Sequence, residues 1–225
     1  MTMDWSPILI SMRTAGLSIV FTFFMGILAA WMVVRISHPL VKTILDGIFT
    51  IPLVLPPTVA GFFLLYVFGV KRPVGQFFLE YFSVKIAFSW GATVLAAVVM
   101  SFPLMYRSAR GAFEQVDDTL VQAARTLGMG EWTIFRRVLL ANAVPGVVSG
   151  GVLAFARGLG EFGATAMIAG NIAGKTRTLP MAVYSEVAAG NMEAACSYVA
   201  IIVVIAFLSV FLMNGAMWYS QKKSR

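Results

Sequence analysis

Long stretches without charged residues limit what this chain can fold into more than any other feature. A bilayer core about 30 Å thick requires about 20 residues of helix to cross it. Runs of that length with few or no charges predict spans over residues 14–34, 47–70, 86–106, 146–168 and 196–218. The sequence therefore predicts an all-α integral membrane protein with five transmembrane helices in one domain, residues 1–225.

The composition narrows the class of protein further. Only 12% of the 225 residues are charged, whereas a soluble domain carries roughly 25%. The net charge of +7 comes from basic residues spread between apolar blocks, so it does not indicate a nucleic-acid partner. A disordered chain and a typical soluble enzyme are excluded. One cysteine, Cys196, and one histidine, His38, rule out an intrachain disulfide and a Cys/His metal cluster, and no metal site is expected.

A six-span arrangement is the alternative to five spans. The extra helix would have to lie in residues 171–193. Four charged residues interrupt that interval, namely Lys175, Arg177, Glu186 and Glu193. Five spans are therefore the preferred prediction.

The distribution of basic residues predicts the orientation, because positive residues accumulate on the cytoplasmic side. One side collects ten: Arg35, Lys42, Arg107, Arg110, Arg125, Arg136, Arg137, Lys222, Lys223 and Arg225. The other side collects six: Arg13, Lys71, Arg72, Lys85, Lys175 and Arg177. This excess predicts a periplasmic N-terminus, a cytoplasmic C-terminus and a cytoplasmic loop over residues 107–142.

The cytoplasmic loop contains a predicted short helix over residues 117–128. Asp118 or Thr119 can cap its N-terminus, and Thr119 with Gln122 has the spacing of a capping box. Gly128 suits the left-handed position after the last turn. A second, amphipathic helix is predicted to begin near Glu131 and Trp132 and to end at Pro145.

A helix of two to three turns is too short to be stable alone. The small pair Ala123 and Ala124 would allow a close approach of another backbone. Two interpretations remain open at this point. The helix either docks into a groove on another protein, or packs beneath its own bundle.

The same segment resembles the EAA signature of ABC-importer permeases. The resemblance rests on Gln122-Ala123-Ala124, on Gly128, and on Val138-Leu139-Leu140. The sequence departs from the signature at Gln122, where the family has Glu, and at Ala141, where it has Pro. The resemblance implies a coupling helix that contacts the ATPase, with these candidate residues: Asp117, Asp118, Thr119, Leu120, Gln122, Ala123, Ala124, Arg125, Leu127, Gly128, Glu131 and Trp132.

Four further stretches resemble permeases for tetrahedral oxyanions, most of all the molybdate permeases, with the sulfate and thiosulfate permeases as the alternative. They are residues 51–61, 156–163, 168–171 and 178–184. The resemblance implies a type I ABC importer permease (MetI-like) fold in a bacterial inner membrane. It also implies transport of molybdate and tungstate, with no covalent chemistry and no cofactor bound by this chain.

The partners follow from the same resemblance. They are a second copy of the chain in a homodimer, two ABC ATPase subunits, a periplasmic molybdate-binding protein and membrane lipid, with no nucleic acid. ATP and Mg would be used by the ATPase subunits.

Two groups of residues are candidates for the translocation path or its gate. Arg157 and Glu161 are four residues apart within a predicted span, where an unpaired charge is costly. They form either an internal ion pair or a polar lining of the path. Pro52, Pro56 and Pro57 mark either a hinge in the path wall or a packing kink. The neighbouring candidates are Thr58, Phe162 and Gly163.

Two nucleotide-binding patterns are rejected on context. Residues 158–163 match G-x-G-x-x-G inside a predicted span, and residues 169–176 form a near P-loop on the outer side. A channel or secondary transporter would need matching broken helices in both halves, and proline breaks are seen only in the second span. An intramembrane enzyme lacks a usable catalytic set.

Overall fold

The computed structural model describes residues 4–223, with side chains described through Leu212. Arg225, which contributed to the predicted orientation, lies outside the described residues, as do the side chains of Lys222 and Lys223. Residues 1–3 and 224–225 of the predicted domain are likewise outside them.

The described part of the chain folds into eleven α-helices and one π-helical turn, and it contains no strand. The helices are α1 (Ser6–Val34), α2 (Pro39–Val54), α3 (Pro57–Phe68), α4 (Pro73–Phe82), α5 (Trp90–Glu114), α6 (Asp118–Thr126), α7 (Glu131–Ile134), α8 (Leu140–Leu159), α9 (Gly163–Ile168), α10 (Leu179–Ala188) and α11 (Met192–Lys223). The π turn, Phe135–Leu139, joins α7 to α8. The predicted all-α class is confirmed.

Helices α1, α5 and α8 pack against one another as the centre of the bundle. Hydroxyl groups connect α1 to α5, with Thr14 2.9 Å from Thr93 and Thr22 3.0 Å from Ser101 between the Oγ atoms. All four side chains are buried. Because lipid offers no hydrogen-bonding partner, such interhelical bonds satisfy polar groups while the small side chains let the helices approach closely.

Four elements are long and apolar enough to cross a membrane, and the bent pair α2–α3 makes a possible fifth. The predicted span over residues 47–70 is therefore not one continuous helix. α2 and α3 meet at 111°. The break occurs because a residue before proline is forced out of the helical region. Leu55 and Pro56 are extended, with ψ of 140° and 135°, and Pro57 starts the next helix.

The predicted span over residues 146–168 is also divided. α8 ends at Leu159, the chain turns through Gly160, and α9 begins at Gly163. The candidate membrane span begins earlier in the chain than predicted, because Glu131–Leu159 is continuous through α7, the π turn and α8. The break arises because the side chain of Glu161 binds the N-terminus of the second helix, as described below.

The predicted loop over residues 107–142 is largely helical. α5 continues to Glu114, so Arg107 lies within a helix. The prediction that the second loop helix ends at Pro145 was wrong, because Pro145 lies inside α8. Pro52 and Pro103 also lie inside helices. Membrane helices tolerate such prolines when neighbouring groups compensate for the lost backbone hydrogen bond.

The interval proposed for a sixth span contains only α10, a helix of 10 residues. At 1.5 Å per residue it covers about half of a bilayer core. It packs against α11, and the backbone N–H of Leu179 at its start donates to Ser11 Oγ at 2.7 Å. The sixth span is thus not formed in residues 171–193.

Candidate functional site

The first candidate site is the short helix α6, which projects at one end of the bundle. Its N-cap is Asp117, whose Oδ1 accepts a hydrogen bond of 2.9 Å from the Thr119 backbone N–H. This bond holds the pKa of the Asp117 carboxyl below its usual value. The expectation that Asp118 or Thr119 would be the cap was wrong, because these are the first and second helical residues. Thr119 therefore does not start the predicted capping box with Gln122.

The other end of α6 closes as the sequence predicts. Gly128 has a φ of +73°, in the left-handed region that glycine adopts without strain. The backbone N–H of Met129 donates to the Ala124 carbonyl at 3.1 Å, and that of Gly128 donates to the Arg125 carbonyl at 2.9 Å. These bonds satisfy carbonyl groups that the end of a helix leaves free. Both ends of α6 are thus determined by local side-chain and backbone chemistry.

The outer surface of α6 is available for contact with another molecule. Ala124 is buried against the bundle, whereas Leu120, Gln122 and Ala123 are exposed. Leu127 is 80% exposed, and the nearby Trp132 of α7 is 58% exposed. Large apolar side chains this accessible on a polar segment are typical of a contact surface for a partner.

Helix α7 attaches α6 to the bundle. Glu131 accepts hydrogen bonds from Arg125 of α6 at 2.9 and 3.4 Å, and it lies 3.4 Å from Arg35 at the end of α1. The ring of Trp31 packs against Trp132 and Phe135, at centroid distances of 5.9 and 4.7 Å. The half-exposed ion pairs contribute little, so the aromatic packing holds this end of the bundle together. Sequence reasoning missed Arg35 and Trp31, since only the fold brings α1 beside α7.

The structure therefore brings the predicted coupling residues together. Asp117 to Gly128 form one projecting helix, and Glu131 and Trp132 lie directly beneath it. A cleft of about 600 Å³ runs beside the helix, lined in part by Arg107, Gln115, Asp117, Leu120 and Asn142.

The second candidate site is the pair formed by Arg157 and Glu161. Arg157 Nη1 lies 2.6 Å from Glu161 Oε2. Glu161 is 2% exposed, and its Oε1 accepts a hydrogen bond of 2.7 Å from the Ala164 backbone N–H. The two residues are not on one helix, as their spacing had suggested, because α8 ends at Leu159. The Glu161 carboxylate is thus an ion-pair partner and a cap of α9 at the same time.

Helix α9 packs tightly against the start of α3. A Cβ atom added to Gly163 would lie 2.9 Å from Pro57 Cβ and 3.2 Å from the Thr58 backbone nitrogen. A Cβ atom added to Gly61 would lie 2.6 Å from Ala164 Cα. The two glycines let the broken second span approach the ion pair.

The remaining path candidates do not all lie at the contact between α3 and α9. Pro57, Thr58, Glu161 and Gly163 lie together at the α3–α9 contact. The ring of Phe162 packs instead on Tyr184 of α10, with centroids 5.4 Å apart. Pro56 forms the break before α3. Pro52 lies within α2, a helix without buried residues.

A polar cluster that sequence reasoning missed connects α2 to α5. Tyr106 Oη donates to Asp46 Oδ1 at 3.0 Å, and Arg110 pairs with Asp46. Glu114 accepts from Arg110 Nε at 3.0 Å and from Lys42 Nζ at 2.9 Å. The spacing of Tyr106, Arg110 and Glu114, four residues apart on one helix face, was the signal that could have identified them.

Among residues 4–223, no three His, Cys, Asp or Glu side chains are arranged to hold a metal ion. Glu131 and Glu161 are paired with Arg, and Asp117 caps α6.

Comparison with known proteins gives a family and close relatives. Residues 22–225 match the family described as binding-protein-dependent transport system inner membrane component. The molybdenum transport system permease protein ModB of Escherichia coli K12 is 43% identical over 222 residues, which is 98% of this chain and 96% of that protein. The putative molybdenum transport system permease protein YvgM of Bacillus subtilis 168 is 41% identical over 93% of this chain and 92% of its own length.

A sulfate relative is more distant. The sulfate transport system permease protein CysT of Salmonella typhimurium LT2 is 32% identical over 91% of this chain and 76% of its own length.

Solved structures support the fold. A chain of the MetNI methionine ABC transporter has a TM-score of 0.73 and 18% identity, over 95% of this chain and 94% of its own. A chain of a bacterial ABC transporter that imports alginate has a TM-score of 0.79 and 15% identity, over 95% and 78%.

Proposed function

Because the chain belongs to the family of binding-protein-dependent transport system inner membrane components, we propose that it is the transmembrane subunit of an ATP-driven importer that carries molybdate, and also tungstate, across the inner membrane. The assignment of the substrate rests on the 43% identity to a molybdenum permease over nearly the full length of both chains. The sulfate relative is less similar and matches a smaller part of its own length.

The family assignment confirms the resemblance predicted from the sequence, and it makes the chain a permease subunit rather than an enzyme. It is a multi-pass inner-membrane protein that works with an ATPase and a periplasmic binding protein. ATP hydrolysis therefore belongs to a separate subunit, and ATP and Mg are assigned to that subunit by this proposal.

The proposed assembly contains two copies of this chain and two ATPase subunits, and a binding protein delivers molybdate from the periplasm. The N-terminus is periplasmic and the C-terminus is cytoplasmic, so α6 faces the ATPase. One face of α2 is consistent with a homodimer, because Ile44, Ile48 and Ile51 are exposed within one copy and are available to a second.

In this proposal α6 is the coupling helix. Its capped ends keep it folded although it has only nine residues, and Leu120, Leu127 and Trp132 supply apolar contacts to the ATPase. When the ATPase subunits move, α6 transmits the motion through Trp132 and Phe135 to Trp31 of α1. The three rings lie close enough to connect the helices, with centroids 4.7 to 5.9 Å apart.

The path is proposed to open and close where α3 meets α9. Pro56 and Pro57 give the second span a preformed bend, and Glu161 fixes the start of α9 against it. The Arg157–Glu161 pair acts here as a support for the path wall, since the Glu161 carboxylate is buried and both of its oxygens are bonded.

Uptake of labelled molybdate tests the function. Cells that lack their own molybdate permease would receive this chain with its ATPase and binding protein. We expect accumulation that requires all three components and falls several-fold with excess tungstate but little with sulfate. An ATPase variant unable to hydrolyse ATP is the matched control. Uptake that persists without the ATPase, or competition by sulfate equal to that by unlabelled molybdate, would overturn the proposal.

A further inference from the structure

Helix α4 is the part of the molecule that the transport function leaves unexplained. It has 10 residues, Pro73–Phe82, and it connects the end of α3 to the start of α5. A helix of this length is about 15 Å long, half the thickness of a bilayer core, so it cannot cross the membrane. The side chains of α4 therefore have to indicate where it lies relative to the bilayer.

The side chains of α4 separate into two faces. At about 100° per residue, Phe77, Tyr81, Val74, Phe78, Phe82 and Leu79 fall within an arc of about 200°. Gln76 and Glu80 lie on the opposite face. An amphipathic helix with aromatic residues on one face is the sequence pattern of a helix that lies in the membrane interface.

The apolar face is not covered by the other described residues of the chain. Tyr81 is 73% exposed and Phe82 is 61% exposed. Gly75 is the one buried residue of α4, and it sits against the Gly69 carbonyl so closely that no side chain would fit. The aromatic rings pack on one another, with centroids 4.8 Å apart for Phe77 and Tyr81 and 5.7 Å for Phe78 and Phe82. They form a continuous apolar surface without a protein partner in this copy.

Positive charges flank this surface. Lys71 and Arg72 precede α4 and Lys85 follows it, all three exposed. Arg72 also lies over the ring of Tyr66 in α3, with its Cζ 4.0 Å from the ring centroid. The single acidic residue of the α4 segment, Glu80, is on the polar face. Cations beside an apolar surface complement lipid, which presents phosphate groups above acyl chains.

We propose that α4 lies flat in the lipid leaflet next to it, with its aromatic face among the upper acyl chains and with Lys71, Arg72 and Lys85 at the phosphate groups. Tyr81 favours this depth because its ring is apolar while its hydroxyl group remains near water, and the phenylalanine rings are apolar throughout. The helix thereby fixes the depth of α3, whose first turn packs on α9. This inference does not depend on the transported anion.

Spin labels on single cysteines test the proposal in the assembled transporter. The native Cys196 is exposed and would first be replaced by serine. Cysteine would then replace Phe77, Tyr81 or Phe82 on the apolar face and, as matched controls on the same helix, Gln76 or Glu80. The complex would be reconstituted without its binding protein in vesicles of phosphatidylethanolamine and phosphatidylglycerol.

Accessibility to oxygen, which concentrates in lipid, is compared with accessibility to a water-soluble nickel chelate. We expect the oxygen-to-nickel ratio at positions 77, 81 and 82 to exceed that at positions 76 and 80 by roughly threefold or more, as for a face buried in the interface. Equal ratios on both faces would overturn the proposal. Labels at 77, 81 and 82 that neither reagent reaches would also overturn it, because a protein partner would then cover the face.

Three apolar positions provide the same measurement, so failure of one variant to assemble leaves the test intact. Molybdate uptake in cells that also contain the ATPase and the binding protein serves as the check that each variant assembles. Equal accessibility at all positions together with normal uptake would contradict the proposed lipid contact and would leave the proposed transport function unaffected.

Discussion

Helices α6 and α9 are both short and both begin at a carboxylate that accepts a backbone N–H, yet their surroundings are opposite. Asp117 is the N-cap of α6 and is exposed, and no cation among the described side chains is bonded to it. Glu161 caps α9 in the interior, where its other oxygen is bonded to Arg157. The same hydrogen bond therefore needs an ion-pair partner only where water is absent.

The two caps therefore differ in whether water can replace them. The cap of α6 can open and be replaced by water, which suits a surface that must fit a partner. The cap of α9 has no such substitute, because a buried carboxylate without a partner is strongly unfavourable. The start of α9 is accordingly held in place from inside the protein, whereas the start of α6 is accessible to water.

The largest expected effect comes from removing the partner of the buried carboxylate. Arg157→Ala leaves Glu161 buried and unpaired, and we expect the free energy of unfolding to fall by about 3–5 kcal/mol. Chemical unfolding in detergent micelles measures this, with Arg157→Lys as the control that keeps the charge and loses less. A loss below about 1 kcal/mol for Arg157→Ala would show that water reaches Glu161.

The second effect tests the packing of α9. In Gly61→Ala the new Cβ would lie 2.6 Å from Ala164 Cα, so α3 and α9 must separate. We expect a loss of about 1–3 kcal/mol and slower molybdate uptake. Gly111→Ala is the matched control, because a Cβ there meets nothing within 4 Å and alanine favours a helix. Equal stability of the two variants would contradict the tight α3–α9 contact.

The third effect moves to the exposed helix. Gly128 has a φ of +73° and Gly130 an extended backbone with a φ of −66°. Gly128→Val should cost about 1–2 kcal/mol in left-handed strain and reduce the stimulation of the ATPase by loaded binding protein. Gly130→Val, the same substitution two residues away, should leave ATPase stimulation near the native level. Equal stimulation of the ATPase in both variants would contradict the proposed coupling role of α6.

The smallest effect concerns the cap of α6. The Thr119 N–H bond lowers the pKa of Asp117 below its usual value of 3.8, so the charged cap stabilises α6 above that pH. The stabilisation is lost as the pH falls through the lower, folded-state pKa. Hydrogen exchange at the Thr119 amide should therefore remain protected, after correction for intrinsic rates, from pH 7 down to about pH 4.

Asp117→Asn keeps a hydrogen-bond acceptor without the titrating group, so its protection should not change with pH. Loss of protection near pH 6 in the native protein would mean that another group controls the end of α6.

Prolines illustrate how far sequence reasoning reaches. Pro52, Pro103 and Pro145 all lie inside helices, whereas Pro56 and Pro57 produce a bend of 111°. The adjacent pair breaks the helix because each restricts the residue before it. Pro145 was wrongly predicted to end a helix, and Pro52 was left between a hinge and a packing kink, because tolerance of a proline depends on neighbouring helices that the sequence does not reveal.

The candidate sites also differ in how far the sequence predicted them. The limits of α6 were nearly predicted, with an error of one residue at the cap, because Asp117 and Gly128 act on their own neighbours. The cap of α9 by Glu161 was not predicted, because the Arg157 and Glu161 spacing suggested one continuous helix. The cluster of Lys42, Asp46 and Glu114 also required α2 to lie against α5.

The sequence by itself determined that the chain is helical and membrane-embedded, since lipid leaves backbone groups no partner outside the helix. It also determined the capped helix and the family resemblance, which rest on residues close together along the chain. Only the tertiary structure decided where spans break, which residues pair with Glu161, and which face of α4 stays uncovered. These features depend on contacts between segments that are distant along the chain, and such contacts are set by the packing of helices rather than by local sequence.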